Sequence, residues 1–261
     1  MIAERKSFSG INKGENKMAL GLACLLVLFV NYQGKAGYSQ DPPFDKYILF
    51  NKNGFKFYVN PEIRKDENLY NKISLKISED TKKVADVLPE KLLNKFQTIR
   101  YFIEPDKYGN DEGGAHYLTA FRGWNHPKSK AVLNAFLSEN KIHVYKLNAI
   151  EIPNANWYEK SDFTPMVMLH ESAHAYHDLI LGFDDKKIKA AYMNAKEKGI
   201  YKDYRAQYQM KDDKEYFAEL TVLYFYPGYQ RLFNSKKEFL QRDPEGYKMI
   251  VKSYKLKDEE N

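Results

Sequence analysis

The amino-acid sequence predicts an α+β fold, with a small mixed β-sheet in the first half of the chain and helices in the second. Short apolar runs separated by turn residues occupy residues 40–150, whereas helical spacing of apolar residues dominates from residue 161 onward. With 261 residues, 43% of them hydrophobic, the chain can bury a core without metals or disulfides as supports. We therefore expect one domain over residues 40–261, strand-rich over 40–150 and helical over 151–261.

The first 39 residues are expected to form a signal peptide and leader. An apolar run over Met18–Val30 follows Lys13 and Lys17, and it is shorter than the about 20 residues that a membrane span requires. The mature chain is therefore expected to be secreted or periplasmic, with no stable membrane span. Acylation of Cys24, which would make a lipoprotein, is the less favoured alternative because the apolar run continues beyond the cysteine.

The strands are predicted from runs of β-branched and aromatic residues with turn signals between them. Tyr47–Phe50 and Phe55–Val59 flank an Asn-Lys-Asn-Gly segment whose residues tolerate positive φ, and this pattern predicts a β-hairpin. Three later segments are also predicted to be strands: Thr98–Ile103, Ala115–Phe121 and Ile142–Leu147.

The helices are predicted from apolar spacing and from the residues at their ends. They cover Asn68–Val87, Pro165–Leu181, Lys187–Lys198 and a segment from about Asp212 to Pro227. For the second helix, Thr164 can serve as the cap and Pro165 suits the first turn, where its missing N–H costs nothing. Gly182 can end that helix because glycine readily adopts a left-handed conformation.

The second predicted helix contains the pentapeptide from His170 to His174, which has the pattern HExxH. Residues four apart lie one turn above each other, so both imidazoles point to the same side and can share one metal ion. Glu171 lies about 100° around the helix, where its carboxylate can reach a water bound to that ion. The alternative is a core helix with polar residues at its edge, which would bury His and Glu side chains without partners.

A third protein ligand is needed to complete such a site. Several candidates exist, namely Glu215, His177, His116, His126 and His143. Glu215 is favoured, because Glu219 follows it by four residues and can accept a hydrogen bond from the outer nitrogen of a ligand histidine. An ordinary capping box begun by Asp212 would explain Glu215 but not Glu219. His177 lies about 10.5 Å along the axis from His170, so we expect it to be a hydrogen-bonded, partly buried residue near the site.

The HExxH pattern, together with the downstream Glu-Tyr-Phe-Ala-Glu block at Glu215–Glu219, resembles the gluzincin metallopeptidases, most closely those related to anthrax lethal factor. The resemblance extends from about Pro165 to Tyr247. It implies a zincin-like fold and one zinc ion per chain, held by His170, His174 and Glu215. It also implies an outer-shell role for Glu219.

The resemblance has two further implications. Tyr208, seven residues before Glu215, would help to stabilise the tetrahedral intermediate. An edge strand, either Ala115–Phe121 or Ile142–Leu147, would bind the substrate backbone in extended form.

The expected activity is that of a secreted zinc endopeptidase in which Glu171 activates the attacking water. The expected partner is a peptide or protein substrate. The charge of +6 is concentrated towards the N-terminus, where five basic residues outweigh two acidic ones in the first 39, so no nucleic-acid partner is expected. Two alternatives stay open: a zinc-stabilised secreted binding module on an inactive scaffold, and a hydrolase of a non-peptide amide.

Overall fold

The structure of the protein is a computed structural model that describes residues 46–107, 113–119, 144–202, 208–228 and 232–257. Over these residues the fold is α+β, as predicted. The strands are β1 (Ile48–Lys52), β2 (Phe55–Val59), β3 (Arg100–Ile103), β4 (His116–Leu118) and β5 (Ala149–Ile152). The helices are α1 (Glu67–Val87), α2 (Glu90–Phe96), α3 (Ala155–Lys160), α4 (Thr164–Tyr176), α5 (Lys186–Glu197), α6 (Asp213–Phe225), α7 (Lys236–Arg242) and α8 (Pro244–Tyr254).

The five strands form one mixed sheet in the order β1-β2-β3-β5-β4. The β1–β2 and β4–β5 pairs are antiparallel, whereas β2–β3 and β3–β5 are parallel. The predicted β1–β2 hairpin is confirmed, and its turn uses positive φ at Asn53 (50°) and Gly54 (80°). Among the described strands, β4 therefore lies at one edge of the sheet.

One face of the sheet carries a row of aligned side chains towards the helices, formed by Phe57, Tyr101, Ile150 and Tyr117. The Tyr101 hydroxyl lies 2.6 Å from Oγ of Ser172 on α4, which fixes this face as the one that α4 covers. Because side chains alternate along a strand, the neighbouring row points to the opposite face, and it consists of Tyr58, Phe102, Glu151 and His116.

The prediction of a strand over Ile142–Leu147 is wrong for the residues that the structure describes, 144–147. Val144–Lys146 forms a short 3₁₀ turn, and the strand begins only at Ala149, after Asn148 adopts a positive φ of 59°. The alternation of apolar and polar residues over 142–147 does not produce a strand here, because the Lys146 ammonium turns inward to pair with buried carboxylates.

The helix that contains the HExxH pattern departs from prediction at both ends. Thr164 is its first residue rather than its cap, and the Thr164 hydroxyl donates a hydrogen bond to Asp80 of α1. After Tyr176 the chain continues as a wider π-helical turn, His177–Leu181, which ends at Gly182 with a φ of 83°. The predicted stop at Gly182 is therefore confirmed, but the last turn is not α-helical.

The remaining helices include three that were predicted, α1, α5 and α6, and four that were not, α2, α3, α7 and α8. Asp243 caps α8 by accepting a hydrogen bond from Gly246 N at 2.9 Å, and it also accepts one from the Tyr216 hydroxyl at 2.6 Å. A Cβ at residue 246 would lie 2.6 Å from that hydroxyl oxygen, so only glycine fits.

Within the described ranges, no helix has both the length and the apolar character needed to cross a membrane. The predicted signal peptide falls on residues 1–39, which lie outside the described part of the chain.

Candidate metal centre

The candidate site lies where α4 packs against α6. His170 and His174 are one turn apart on α4, and Glu215 lies in the first turn of α6. Asp212 starts α6 by accepting a hydrogen bond from Glu215 N at 2.9 Å, which sets the position of this residue. The Glu215 carboxylate then faces the two histidines.

Three ligand atoms meet at short distances. His170 Nε2 lies 3.1 Å from His174 Nε2 and 3.2 Å from Glu215 Oε2, and His174 Nε2 lies 3.6 Å from the same oxygen. Zinc–ligand bonds of about 2.0–2.1 Å in a tetrahedron place the ligand atoms about 3.4 Å apart. The three buried side chains are therefore spaced closely enough to share one ion, and they form a group that could hold a metal.

The electrostatics of the site favour a positive charge between these atoms. Burial alone would lower the pKa of His170, but hydrogen bonds to Glu215 and Glu219 outweigh it and raise the pKa well above its ordinary value. Burial would raise the pKa of Glu215, but the two histidines lower it far below its ordinary value. A proton on His170 satisfies this arrangement in part, and a divalent cation would satisfy all three ligand atoms.

Glu219 lies behind the first histidine. Its Oε1 is 3.1 Å from His170 Nδ1, so His170 can donate a hydrogen bond outward while its Nε2 faces the other two ligand atoms. Such a contact fixes both the tautomer and the orientation of a ligand histidine.

His177 does not match its expected environment. It is fully buried between Phe183 and Phe217, with ring centroids 5.0 and 5.1 Å away, and neither ring nitrogen has a hydrogen-bond partner among the described residues. The expectation of a hydrogen-bonded, partly buried residue is therefore wrong. Burial lowers the pKa of His177 to about 3, with smaller contributions from nearby cationic groups.

Glu171 stands beside the three ligand residues and contacts the sheet. Its Oε2 accepts a hydrogen bond of 2.7 Å from the backbone N–H of Tyr117, at the centre of the edge strand β4. The carboxylate is buried, with 4% of the residue exposed. Sequence reasoning missed this contact. No local pattern signals it, because the contact joins a helix to a strand 54 residues away in the chain.

The other predicted residues have varied placements. Tyr208 begins a 3₁₀ turn, Tyr208–Met210, that packs against α6, and its side chain lies outside the described part. His116 belongs to the row on the sheet face away from α4, so it is not brought to the site. His126 and His143 fall outside the described residues. Lys211, which was not predicted, has its Nζ 3.8 Å from Glu215 Oε1.

Comparisons of the chain with protein-family models, with curated proteins and with solved structures found no match.

Proposed function

We propose that this protein is a secreted zinc-dependent endopeptidase with a zincin-like catalytic domain. One observation carries the proposal: the three ligand atoms of His170, His174 and Glu215 converge at zinc spacing, and Glu171 lies between this group and the edge strand β4. The identity of the metal, the reaction and export from the cell are all part of the proposal.

The donor set supports zinc. Two imidazoles and one carboxylate are a common combination in catalytic zinc sites, and three protein ligands leave a fourth position for water or substrate. When bound, zinc supplies Lewis acidity, which makes water more acidic and polarises a carbonyl group.

Glu171 is the proposed general base. The Tyr117 N–H holds its Oε2, which leaves Oε1 to accept the proton of the attacking water. The same carboxylate can then donate that proton to the departing amine. Tyr208, placed directly before α6, is the proposed donor to the oxyanion, a contribution of about 3 kcal/mol for one donor.

The edge strand β4 is the proposed platform for the substrate backbone. In an antiparallel pair, the N–H and C=O of alternate residues point away from the partner strand. Since the Tyr117 N–H reaches Glu171, this residue points its backbone polar groups away from β5. An extended peptide could donate a hydrogen bond to the Tyr117 C=O on that edge while the Tyr117 N–H stays with Glu171, and it would pass beside the proposed metal ligands.

The test combines metal analysis with digestion of a peptide library by the purified mature chain. Wild type should bind one zinc per chain and cleave peptides, with activity abolished by a chelator and restored by zinc. Glu171→Gln should retain the zinc and lose activity by about 10²–10⁴-fold, because only the general base is removed. His174→Ala should lose both. Glu159→Gln, which alters a carboxylate paired with Lys72, should retain both.

Two results would contradict the proposal. A carefully prepared protein that takes up no divalent metal would remove its basis. Stoichiometric zinc with no cleavage of any peptide would instead favour a zinc-stabilised binding module. Cleavage of small amides in place of peptides would keep the mechanism and change the substrate class.

A further inference from the structure

A second tether joins the edge strand to the helix that carries the HExxH pattern. The Tyr117 hydroxyl donates a hydrogen bond of 3.0 Å to Asp178 Oδ2, and the Thr119 hydroxyl donates another to the same oxygen. Tyr117 lies in β4 and Thr119 follows directly after its last residue, Leu118. Asp178 therefore holds one side chain of the strand and one just beyond its end.

The two tethers share Tyr117. Its backbone N–H donates a hydrogen bond to Glu171, and its hydroxyl donates one to Asp178. Asp178 lies seven residues after Glu171. Seven residues correspond to about two helical turns, so both carboxylates lie on the same side of this segment. The position of the Tyr117 N–H relative to Glu171 therefore depends on a contact made at Asp178.

Burial makes the second tether more than a surface contact. The exposed fractions are 3% for Tyr117, 2% for Thr119 and 6% for Asp178. A carboxylate at this depth is costly unless hydrogen bonds satisfy it, and both hydroxyl groups point at it. Asp178 also belongs to the π-helical turn His177–Leu181, and such turns occur frequently at functional sites.

We propose that Asp178 is a positioning residue for the reaction. It holds strand β4 so that the Tyr117 N–H keeps Glu171 oriented as the general base. Asp178 is not one of the three metal ligands, and it acts on the reaction through Tyr117. This inference rests on the proposed peptidase function for its kinetic consequences, whereas its structural consequence can be measured without any activity.

The experiment uses the full mature chain and the variants Asp178→Ala, Asp178→Asn and Tyr117→Phe. Hydrogen–deuterium exchange at the Tyr117 amide reports on the strand, and chelator competition reports on zinc affinity. In Asp178→Ala, we expect the Tyr117 amide to exchange about tenfold faster or more, with zinc affinity within about twofold of wild type. The kcat of the zinc-loaded protein should fall about tenfold or more, because Glu171 loses its orientation.

Conservative changes separate positioning from general stability. Asp178→Asn keeps an oxygen that can accept a hydrogen bond from the Tyr117 hydroxyl. The exchange rate of the Tyr117 amide and kcat should therefore lie between those of wild type and Asp178→Ala. Adding Tyr117→Phe to Asp178→Ala should cause little further loss, because both changes break the same link. Asp184→Asn, an exposed carboxylate in the next loop, serves as the control and should match wild type.

The proposal is overturned if Tyr117 exchange and kcat in Asp178→Ala equal those of wild type, or if zinc affinity falls in parallel with kcat. Should Asp178→Ala fail to fold, Asp178→Asn decides, because it keeps the size of the side chain and removes only the charge: Tyr117 exchange and kcat equal to those of wild type would then overturn the proposal. If wild type cleaves nothing, the peptidase function fails, but the exchange measurement still decides whether Asp178 orders the strand.

Discussion

Two buried polar clusters lie on opposite faces of the sheet, and they satisfy their charges in different ways. The candidate metal centre, on the α4 face, has possible ligand atoms from His170, His174 and Glu215. The ion cluster lies on the other face and consists of four charged side chains, Glu104, Lys107, Lys146 and Glu151. Both are shielded from water, so each must find its compensating charges within the protein or from a bound ion.

The ion cluster is complete as it stands. Lys146 Nζ lies 2.6 Å from Glu151 Oε1 and also pairs with Glu104, while Lys107 Nζ lies 2.6 Å from Glu151 Oε2. The second oxygen of Glu104 accepts a hydrogen bond from Asn60 at 2.6 Å. Burial would lower the pKa of Lys146, but the two carboxylates raise it above its ordinary value. Two cations and two anions compensate each other.

The candidate metal centre, by comparison, has more electron-pair donors than cations to neutralise them. Two ring nitrogens and a carboxylate oxygen point at one another, and lone pairs at such distances repel unless a proton or a metal ion lies between them. Burial of charge alone therefore does not mark a functional site. The distinguishing feature is a set of lone pairs that converge on one point, where a cation can bind.

The largest effect is expected from breaking the complete cluster. Lys146→Met would leave Glu104 and Glu151 buried with one cation fewer, which should reduce the free energy of unfolding by about 3–5 kcal/mol. Urea denaturation at pH 7 measures this change. Lys82→Met removes the ion pair with Asp86, in which both side chains are exposed. It should lower the free energy of unfolding by less than about 1 kcal/mol.

The same variant also tests whether the two clusters are independent. The folded fraction of Lys146→Met should bind zinc as wild type does, because the sheet separates Lys146 from the metal ligands. A loss of zinc affinity in folded Lys146→Met would contradict the division into a structural and a functional cluster.

Sequence reasoning brought His170 and His174 of the candidate metal centre together but missed the ion cluster, for a physical reason. His170 and His174 lie within one helical turn, so local periodicity alone places them together. Lys146 pairs with Glu151, five residues further on in β5, and with Glu104, 42 residues earlier in the chain. No local pattern in the sequence indicates these pairings. The alternating segment at 142–147 therefore predicted a strand where the structure has a 3₁₀ turn.

The fold could be predicted in class and in its longest elements only. The hairpin and helix α1 have clear turn signals and apolar spacing, and both are confirmed. Strand β5 was missed because Glu151 interrupts its apolar run, and that glutamate is tolerated only because lysines neutralise it. The contact of Tyr117 with Glu171 depends on the order of the strands in the sheet, which local patterns in the sequence do not indicate.

His177 differs from both clusters, because it is a buried polar group whose ring nitrogens find no hydrogen-bond partner in the described part of the chain. Its folded-state pKa of about 3 lies below the unfolded value of about 6.5, so acid favours the unfolded chain as pH falls through this window. Between pH 7 and pH 5, this linkage should cost metal-free wild type about 2 kcal/mol of stability. His177→Phe should not suffer that loss.

The measurement is urea unfolding of both metal-free proteins at pH 7 and pH 5. The stability difference between His177→Phe and wild type should grow by about 2 kcal/mol at the lower pH. Phe183→Leu, which changes a neighbouring ring without adding or removing a titratable group, should leave the pH dependence unaltered. An equal difference at both pH values would mean that His177 titrates normally and is not held neutral.

The smallest effect should come from Glu219→Gln. It distinguishes the two clusters, because one should affect zinc affinity and the other stability. The substituted amide would keep an oxygen near His170 Nδ1 but lose the charge, so zinc affinity should fall about tenfold, at the low end for such outer contacts. Competition with a chromophoric chelator measures this loss. Glu104→Gln makes the same chemical change in the ion cluster, and there stability should fall while zinc affinity stays constant. If both variants changed zinc affinity equally, the assignment of Glu219 as the partner that orients His170 would be wrong.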